Sequence, residues 1–195
     1  MENYDKRMQA VLAALGDSRP RLLLHSCCGP CSSAVIERLA PRFDLTVYYY
    51  NPNIAPEEEY RRRLAVQREL VEKLGGAVLV EGEYEPAVFL AAVRGLEGEP
   101  EGGARCTECF RLRLEATARR AAEGGFDFFC TTLTVSPHKD AGRINAISEA
   151  LAARYGVAAL PADFKKREGY KRSIELSKAY GLYRQNYCGC PFSGR

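Results

Sequence analysis

Apolar positions along the 195 residues follow two rhythms that alternate. Arg21–His25, Leu45–Tyr50 and Ala77–Glu81 are short runs rich in β-branched, aromatic or leucine side chains and read as strands. Phe126–Val135 (FDFFCTTLTV) is the strongest such run, and Val157–Leu160 is a short one. Between them, helical spacing predicts helices over Ser32–Leu39, Pro56–Leu74, Pro86–Leu96, Phe110–Ala122, Lys139–Tyr155 and Lys165–Tyr180. Pro56–Leu74 places Leu64, Leu70, Val71 and Leu74 on one face and stops at Gly75-Gly76. Asn51-Pro52-Asn53 breaks the second strand, and GEPEGGARC is a polar loop leading to Cys106. The opening MENYDKRMQAVLAALGDSRPR has charges on both sides of a short apolar patch, which fits an amphipathic helix and not a signal peptide.

Strands alternating with helices of this length predict one α/β domain over residues 1–195. The expected architecture is a mostly parallel sheet with helices on both faces. Residues 22–162 would form the core, and 163–195 a basic helix and tail. Ligands of such sheets gather beyond the carboxyl ends of the strands. A hydrophobic content of 46% suits one compact core. No apolar run reaches the roughly 18 residues of a membrane span, so no membrane partner and a cytoplasmic location are expected.

Charge is mild in total, at +3, but uneven. Residues 163–195 carry eight basic side chains (Lys165, Lys166, Arg167, Lys171, Arg172, Lys178, Arg184 and Arg195) against three acids, and the rest of the chain is slightly acidic. Such a segment fits an anionic partner or, more blandly, a solvated helix face. Glu57–Arg63 (EEEYRRR) reads most simply as a solvated face.

The eight cysteines change the picture most. Seven fall into Cys27-Cys28-x-x-Cys31, Cys106-x-x-Cys109 and Cys188-x-Cys190, and the eighth, Cys130, sits in an apolar strand as a small hydrophobe. In a reducing compartment, metal, cluster or redox chemistry is a better reading than a disulfide framework. The first two groups lie where helices begin, so backbone N–H groups can stabilise anionic sulfur. Adjacent thiolates suit a multi-iron cluster better than one small ion, and two from each of these groups make the four that a [4Fe–4S] cluster takes. Structural zinc and a metal-free thiol redox site stay open as alternatives. Cys31 is then left over, free to join a second site with Cys188 and Cys190. His25 and His138 read as hydrogen-bonded structural residues. Neither a GxxxxGK[ST] nor a GxGxxG motif occurs, so a standard nucleotide site is not indicated.

LLLHSCCGPCSS, YYYNPNI, RCTECFRLRLEATA, TTLTVSPHK and DFKKREGYKRSIELSKAYGLYRQNYCGC, in this order, resemble the QueH family of cobalamin-independent epoxyqueuosine reductases from about Leu22 to Ser193. The resemblance implies a Rossmann-like architecture related to the PP-loop tRNA-modifying enzymes, with cysteines in place of the nucleotide loop after the first strand. It implies reduction of epoxyqueuosine to queuosine at the wobble position of a tRNA anticodon loop. It also implies a [4Fe–4S] cluster on Cys27, Cys28, Cys106 and Cys109, and a mononuclear iron beside it. Cys188 and Cys190 would be a redox pair or iron ligands, with Cys31 or Asp163 completing that iron's shell. Asp163, Tyr187 and His138 are candidate proton donors. Lys165, Lys166, Arg167, Lys171, Arg172 and Arg184 would meet tRNA phosphates, and Tyr170, Tyr183 and Tyr187 could stack on loop bases. The electron donor has no signature in the sequence. Two other functions fit parts of the pattern: a cluster-dependent tRNA thiolase, which would normally need the missing ATP loop, and a zinc-bearing RNA-binding module.

Overall fold

A computed structural model describes residues 2–193; Arg195, counted above in the basic segment, lies outside the described residues. Five parallel strands form one sheet in the order β3-β2-β1-β4-β5: β1 Arg21–Ser26, β2 Asp44–Tyr49, β3 Ala77–Glu81, β4 Phe128–Thr131 and β5 Ala158–Ala159. Among the described residues seven α-helices surround them: α1 Tyr4–Ala14, α2 Gly29–Leu39, α3 Glu57–Leu74, α4 Pro86–Ala92, α5 Ala104–Glu123, α6 Ala141–Tyr155 and α7 Gly169–Ala179.

The period-two alternation of β1 builds two cores. Leu22 and Leu24 face one side, with Val35, Ile36 and Leu39 of α2 and Leu70 and Val71 of α3. Leu23 faces the other, with Phe110, Leu114 and Ala118 of α5 and Ile144 and Leu151 of α6. The three leucines are fully buried, which stabilises the fold by roughly 2 kcal/mol each. The chain winds outward from β1 to β3 and then returns to lay β4 on the other side of β1. The carboxyl ends of β1 and β4 therefore flank the switch point where such sheets bind ligands.

Helix α4 ends at Ala92, short of the predicted Leu96, and larger departures from expectation occur elsewhere. The apolar run Phe126–Val135 is a strand only to Thr131, because the Thr131 hydroxyl accepts from Leu133 N at 3.1 Å and turns the chain into a buried 3₁₀ turn over Thr132–Val135. Helix α5 starts at Ala104, six residues before the predicted Phe110. Arg105, 2% exposed, donates to the carbonyls of Glu97 and Glu99 and gathers the polar loop onto the first turn of the helix. The basic helix begins at Gly169 and not at Lys165, since Arg167 and Glu168 adopt left-handed backbone (φ 52 and 58). A side chain at Gly169 would run into the Phe164 carbonyl oxygen. Finally, Glu57–Arg63 is not a wholly solvated face: Glu59, Tyr60 and Arg63 are buried, and only part of the stretch faces water.

A candidate thiol-lined active site

Cys27 follows β1 directly, Cys28 caps α2 with extended backbone, and Cys31 lies in the first turn of α2. Their sulfurs all lie within 4.8 Å of one another. The loop is pinned from behind. Ser26 Oγ donates to Gln67 Oε1 at 2.5 Å, Ser32 Oγ donates to the Cys28 carbonyl at 2.8 Å, and Asn51 Nδ2 donates to the Ser26 carbonyl at 2.8 Å. At the switch point, Thr132 Oγ1 accepts from Cys27 N at 3.2 Å. Hydrogen bonding with Cys28 and Cys31, against the cost of burial and aided by Lys139 and the Thr132 hydroxyl, holds the Cys27 thiol well below its ordinary pKa. The same hydrogen bonding to Cys27 pushes Cys28 up to about 12, and Cys31 also rises.

Cys106 and Cys109 sit within the first two turns of α5, not ahead of it as predicted. Gly102 N reaches Cys106 Sγ at 3.2 Å. Cys109 is buried beside Phe89, Cys190 and Phe192, and burial pushes its thiol up to about 12. Three adjoining cavities connect the groups. The first, about 50 Å³, is lined by Cys27, Cys28, Cys31 and Cys188. The second, about 20 Å³, is lined by Cys106, Cys109, Cys188 and Cys190. The third is an open groove of about 780 Å³ that meets them at Cys188 and Lys139 and continues past Cys31, His138, Tyr170, Arg184 and Tyr187. The predicted quartet Cys27, Cys28, Cys106 and Cys109 is thus divided between two cavities. Cys31 joins the first group, and Cys188 belongs to both.

Three cations are built into this region that sequence reasoning passed over. Arg113 lines both thiol cavities while 3% exposed, and Nε donates to the Cys109 carbonyl at 3.2 Å. Burial opposes the charge of Lys139, but the sulfurs of Cys27, Cys188 and Cys31 outweigh it and raise its pKa. Arg63, also 3% exposed, faces the first cavity from α3. Arg63 was legible in part, since it shares a helical face with Tyr60, Leu64 and Gln67. Arg113 shares one with Phe110, Leu114 and Thr117. Two carboxamide oxygens at the first cavity, Asn53 Oδ1 and Gln185 Oε1, are buried with no hydrogen-bond partner among the described residues.

Asp163 lines none of these three cavities and is ion-paired with Lys165 Nζ at 2.7 Å. Tyr187 lines the first cavity and the groove, and His138 the second cavity and the groove. His25 is structural: Nδ1 meets Thr131 Oγ1 at 2.9 Å and Nε2 the Tyr50 carbonyl at 3.1 Å, and burial lowers its pKa to about 3. Cys130 is buried, with its thiol 3.4 Å from the Leu160 carbonyl. The basic segment is largely neutralised within the fold. Arg167 Nε binds Asp5 at 2.9 Å, Arg172 Nη2 binds Glu37 at 2.7 Å, and Lys171 Nζ binds Glu168 at 3.4 Å. Arg184 lies 5.4 Å from the Tyr170 ring at the groove wall, while Lys166 is exposed and forms no ion pair with the described residues.

Fold and site together define an α/β protein of Rossmann-like fold in which cysteines occupy the loop after β1. Consistent with that fold, the structure superimposes on the U34-tRNA thiolase NcsA from Methanococcus maripaludis with its [4Fe-4S] cluster. The TM-score is 0.55 at 15% identity, over 97% of this chain and 68% of that one, a likeness of fold. The family described as epoxyqueuosine reductase QueH matches residues 22–195. The chain is 46% identical over 200 residues to epoxyqueuosine reductase QueH of Staphylococcus epidermidis, covering 98% of this chain and 84% of the relative. It is 37% identical over 178 residues to that of Thermotoga maritima, covering 88% and 89%. The chain belongs to the epoxyqueuosine reductase QueH family. No helix among the described residues is long and apolar enough to cross a membrane.

Proposed function

We propose that this chain reduces epoxyqueuosine to queuosine at the wobble position of tRNA, using iron bound by its cysteines. The observation that carries the proposal is the convergence of seven thiols from three distant segments on adjoining cavities at the switch point of the sheet. The donor set fits an iron–sulfur group: soft sulfurs in excess, an adjacent pair at 3.9 Å, and cations at Arg113 and Lys139 to balance anionic thiolates. In our assignment Cys27, Cys28, Cys106 and Cys109 hold a [4Fe–4S] cluster, and Cys188 and Cys190, with Cys31, serve an adjacent iron or act as a redox pair. One-electron reduction is the chemistry such a group brings when bound.

The overall conversion takes two electrons and two protons, breaks both C–O bonds of the epoxide, and releases water as the alkene forms. The residues of this chain would divide the remaining work. The groove has the volume of a nucleoside site. Tyr170 and Arg184 at its wall can stack on a base turned out of the anticodon loop. Asn53 Oδ1 and Gln185 Oε1 can accept from ring hydroxyls of the substrate, which an epoxide oxygen, itself only an acceptor, cannot satisfy. Lys139 Nζ and Tyr187 are proton-bearing groups that line both the first thiol cavity and the groove, and His138 stands at the groove. Lys166 and Arg184 would meet phosphates of the stem, and Lys165, Arg167, Lys171 and Arg172 could join them only by exchanging their acidic partners for phosphate.

The test is anaerobic incubation of reduced protein with tRNA carrying epoxyqueuosine, followed by nucleoside mass spectrometry and iron and sulfide analysis. Loss of one oxygen from the nucleoside, abolished in Cys188→Ser and Cys190→Ser proteins that keep the sulfide and iron of the cluster, is the expected result. A colourless zinc protein that binds tRNA without changing it would replace the proposal with an RNA-binding module.

A further inference from the structure

We propose that Arg63 is the positioning residue that holds Cys188 at the junction of the two thiol cavities. The consequence for turnover rests on the reductase reading; the placement rests on geometry. Arg63 is 3% exposed, and each edge of its guanidinium has a separate partner. Nε binds Glu59 at 2.6 Å, Nη1 donates to the Cys188 carbonyl at 2.9 Å, and Nη2 reaches the Tyr187 carbonyl at 3.5 Å. The Tyr187 ring centroid lies 5.0 Å from the same group. The next residue closes the clasp: the Gly189 carbonyl accepts from Ala55 N at 2.9 Å. Gly189 has φ +90, and a Cβ there would stand 3.0 Å from both terminal nitrogens of Arg63.

Three consecutive tail residues are therefore held by one side chain and one backbone N–H. Charge and shape both require arginine here. A buried guanidinium needs a compensating anion, which Glu59 supplies at 7% exposure. The Tyr183 hydroxyl lies 3.4 Å from each Glu59 oxygen and steadies that anion. With Nε fixed on Glu59, the rigid fork aims Nη1 and Nη2 at the tail, which a single ammonium cannot do. Two further contacts of the tail, Arg105 Nη2 on the Phe192 carbonyl at 3.4 Å and Phe89 against Phe192, act beyond Cys190.

The experiment measures iodoacetamide labelling of each cysteine by peptide mass spectrometry in the full chain isolated anaerobically, with kcat and KM for epoxyqueuosine-tRNA alongside. Arg63→Gln should speed labelling of Cys188 about tenfold or more, since two charge-assisted hydrogen bonds are lost, while Cys106 labels at its original rate. In the same variant kcat should fall about tenfold or more with KM for tRNA unchanged, and Arg63→Lys should lie between. Gly189→Ala, which keeps Arg63 and Glu59, should release Cys188 in the same way. Equal Cys188 labelling in Arg63→Gln and wild type, or faster labelling of every cysteine together, overturns the proposal. Should Arg63→Gln fail to fold, Gly189→Ala decides alone, and an unchanged Cys188 rate there overturns it. A wild-type chain that does not reduce the modified tRNA removes the reductase reading and the kinetic arm, while the labelling still decides the role of Arg63.

Discussion

Asp5 ties three parts of the molecule together, and replacing it with asparagine should move two properties in opposite directions. From α1 its carboxylate accepts from Arg38 Nη2 of α2 at 2.6 Å and from Arg167 Nε, ahead of α7, at 2.9 Å. Asp5 itself is 7% exposed. A charge-assisted hydrogen bond contributes about 1.5–3 kcal/mol when well shielded. Side-chain exposures of 23% for Arg38 and 60% for Arg167 bring the pair down, to about 1–2 kcal/mol in total. Asp5→Asn should therefore lower unfolding stability at neutral pH by that amount, a factor of roughly 5–30 in the folding equilibrium. Burial raises the pKa of Asp5, but Arg38 and Arg167 outweigh it and the net shift is below the ordinary 3.8. The sign follows: the stabilisation is complete above the unfolded value near 3.8 and fades as pH falls through the lowered folded value. Urea melts at pH 7 should separate the two proteins, and melts in strong acid should bring them together. At the same time the variant frees Arg167, so the logarithm of tRNA affinity should fall more steeply with salt, by roughly 0.7–0.9 in slope. Equal stability at pH 7, or a deficit that persists undiminished in acid, would refute the electrostatic account of this junction.

Lys166→Glu should weaken tRNA binding by about three- to tenfold at low salt, because Lys166 is exposed and has no ion-pair partner among the described residues; fluorescence anisotropy that shows no change would remove this surface from the interface. Gly169→Ala should cost about 2 kcal/mol or more in unfolding free energy, since the Phe164 carbonyl has no room for a Cβ. Cys130→Ala should leave iron content and turnover unchanged and cost about 1 kcal/mol, the loss of a small buried side chain. Iron missing from that variant would mean that the eighth cysteine had been misread.

The order of strands and helices, and the three cysteine groups at the ends that matter, are readable from the sequence because period-two and period-3.6 patterns are local. The departures arise where a side chain overrules the pattern. Thr131 turns an apolar run into a 3₁₀ bend, and Arg105 gathers a Gly-rich loop onto an early helix start. The buried cations were hidden for a related reason. Arg63 and Arg113 have the composition of a solvated face, and only their helical phase, three or four residues from Tyr60 and Gln67 and from Phe110 and Thr117, marks them as inward. The regrouping of the thiols, with Cys31 beside Cys27 and Cys188 between both cavities, depends on contacts across the whole chain that no spacing encodes.

The triplet Cys27, Cys28 and Cys31 spans five residues, whereas Cys106, Cys109, Cys188 and Cys190 meet it only in the closed fold. An unfolded chain therefore already owns a short-range chelator. Thiophilic ions will populate the denatured ensemble as well as the native one, and the stabilisation that they confer is smaller than native affinity alone implies. Refolding with free zinc or copper present should consequently partition chains into wrongly loaded traps, and the metal that arrives first, not the one that binds best, will decide the yield of active protein.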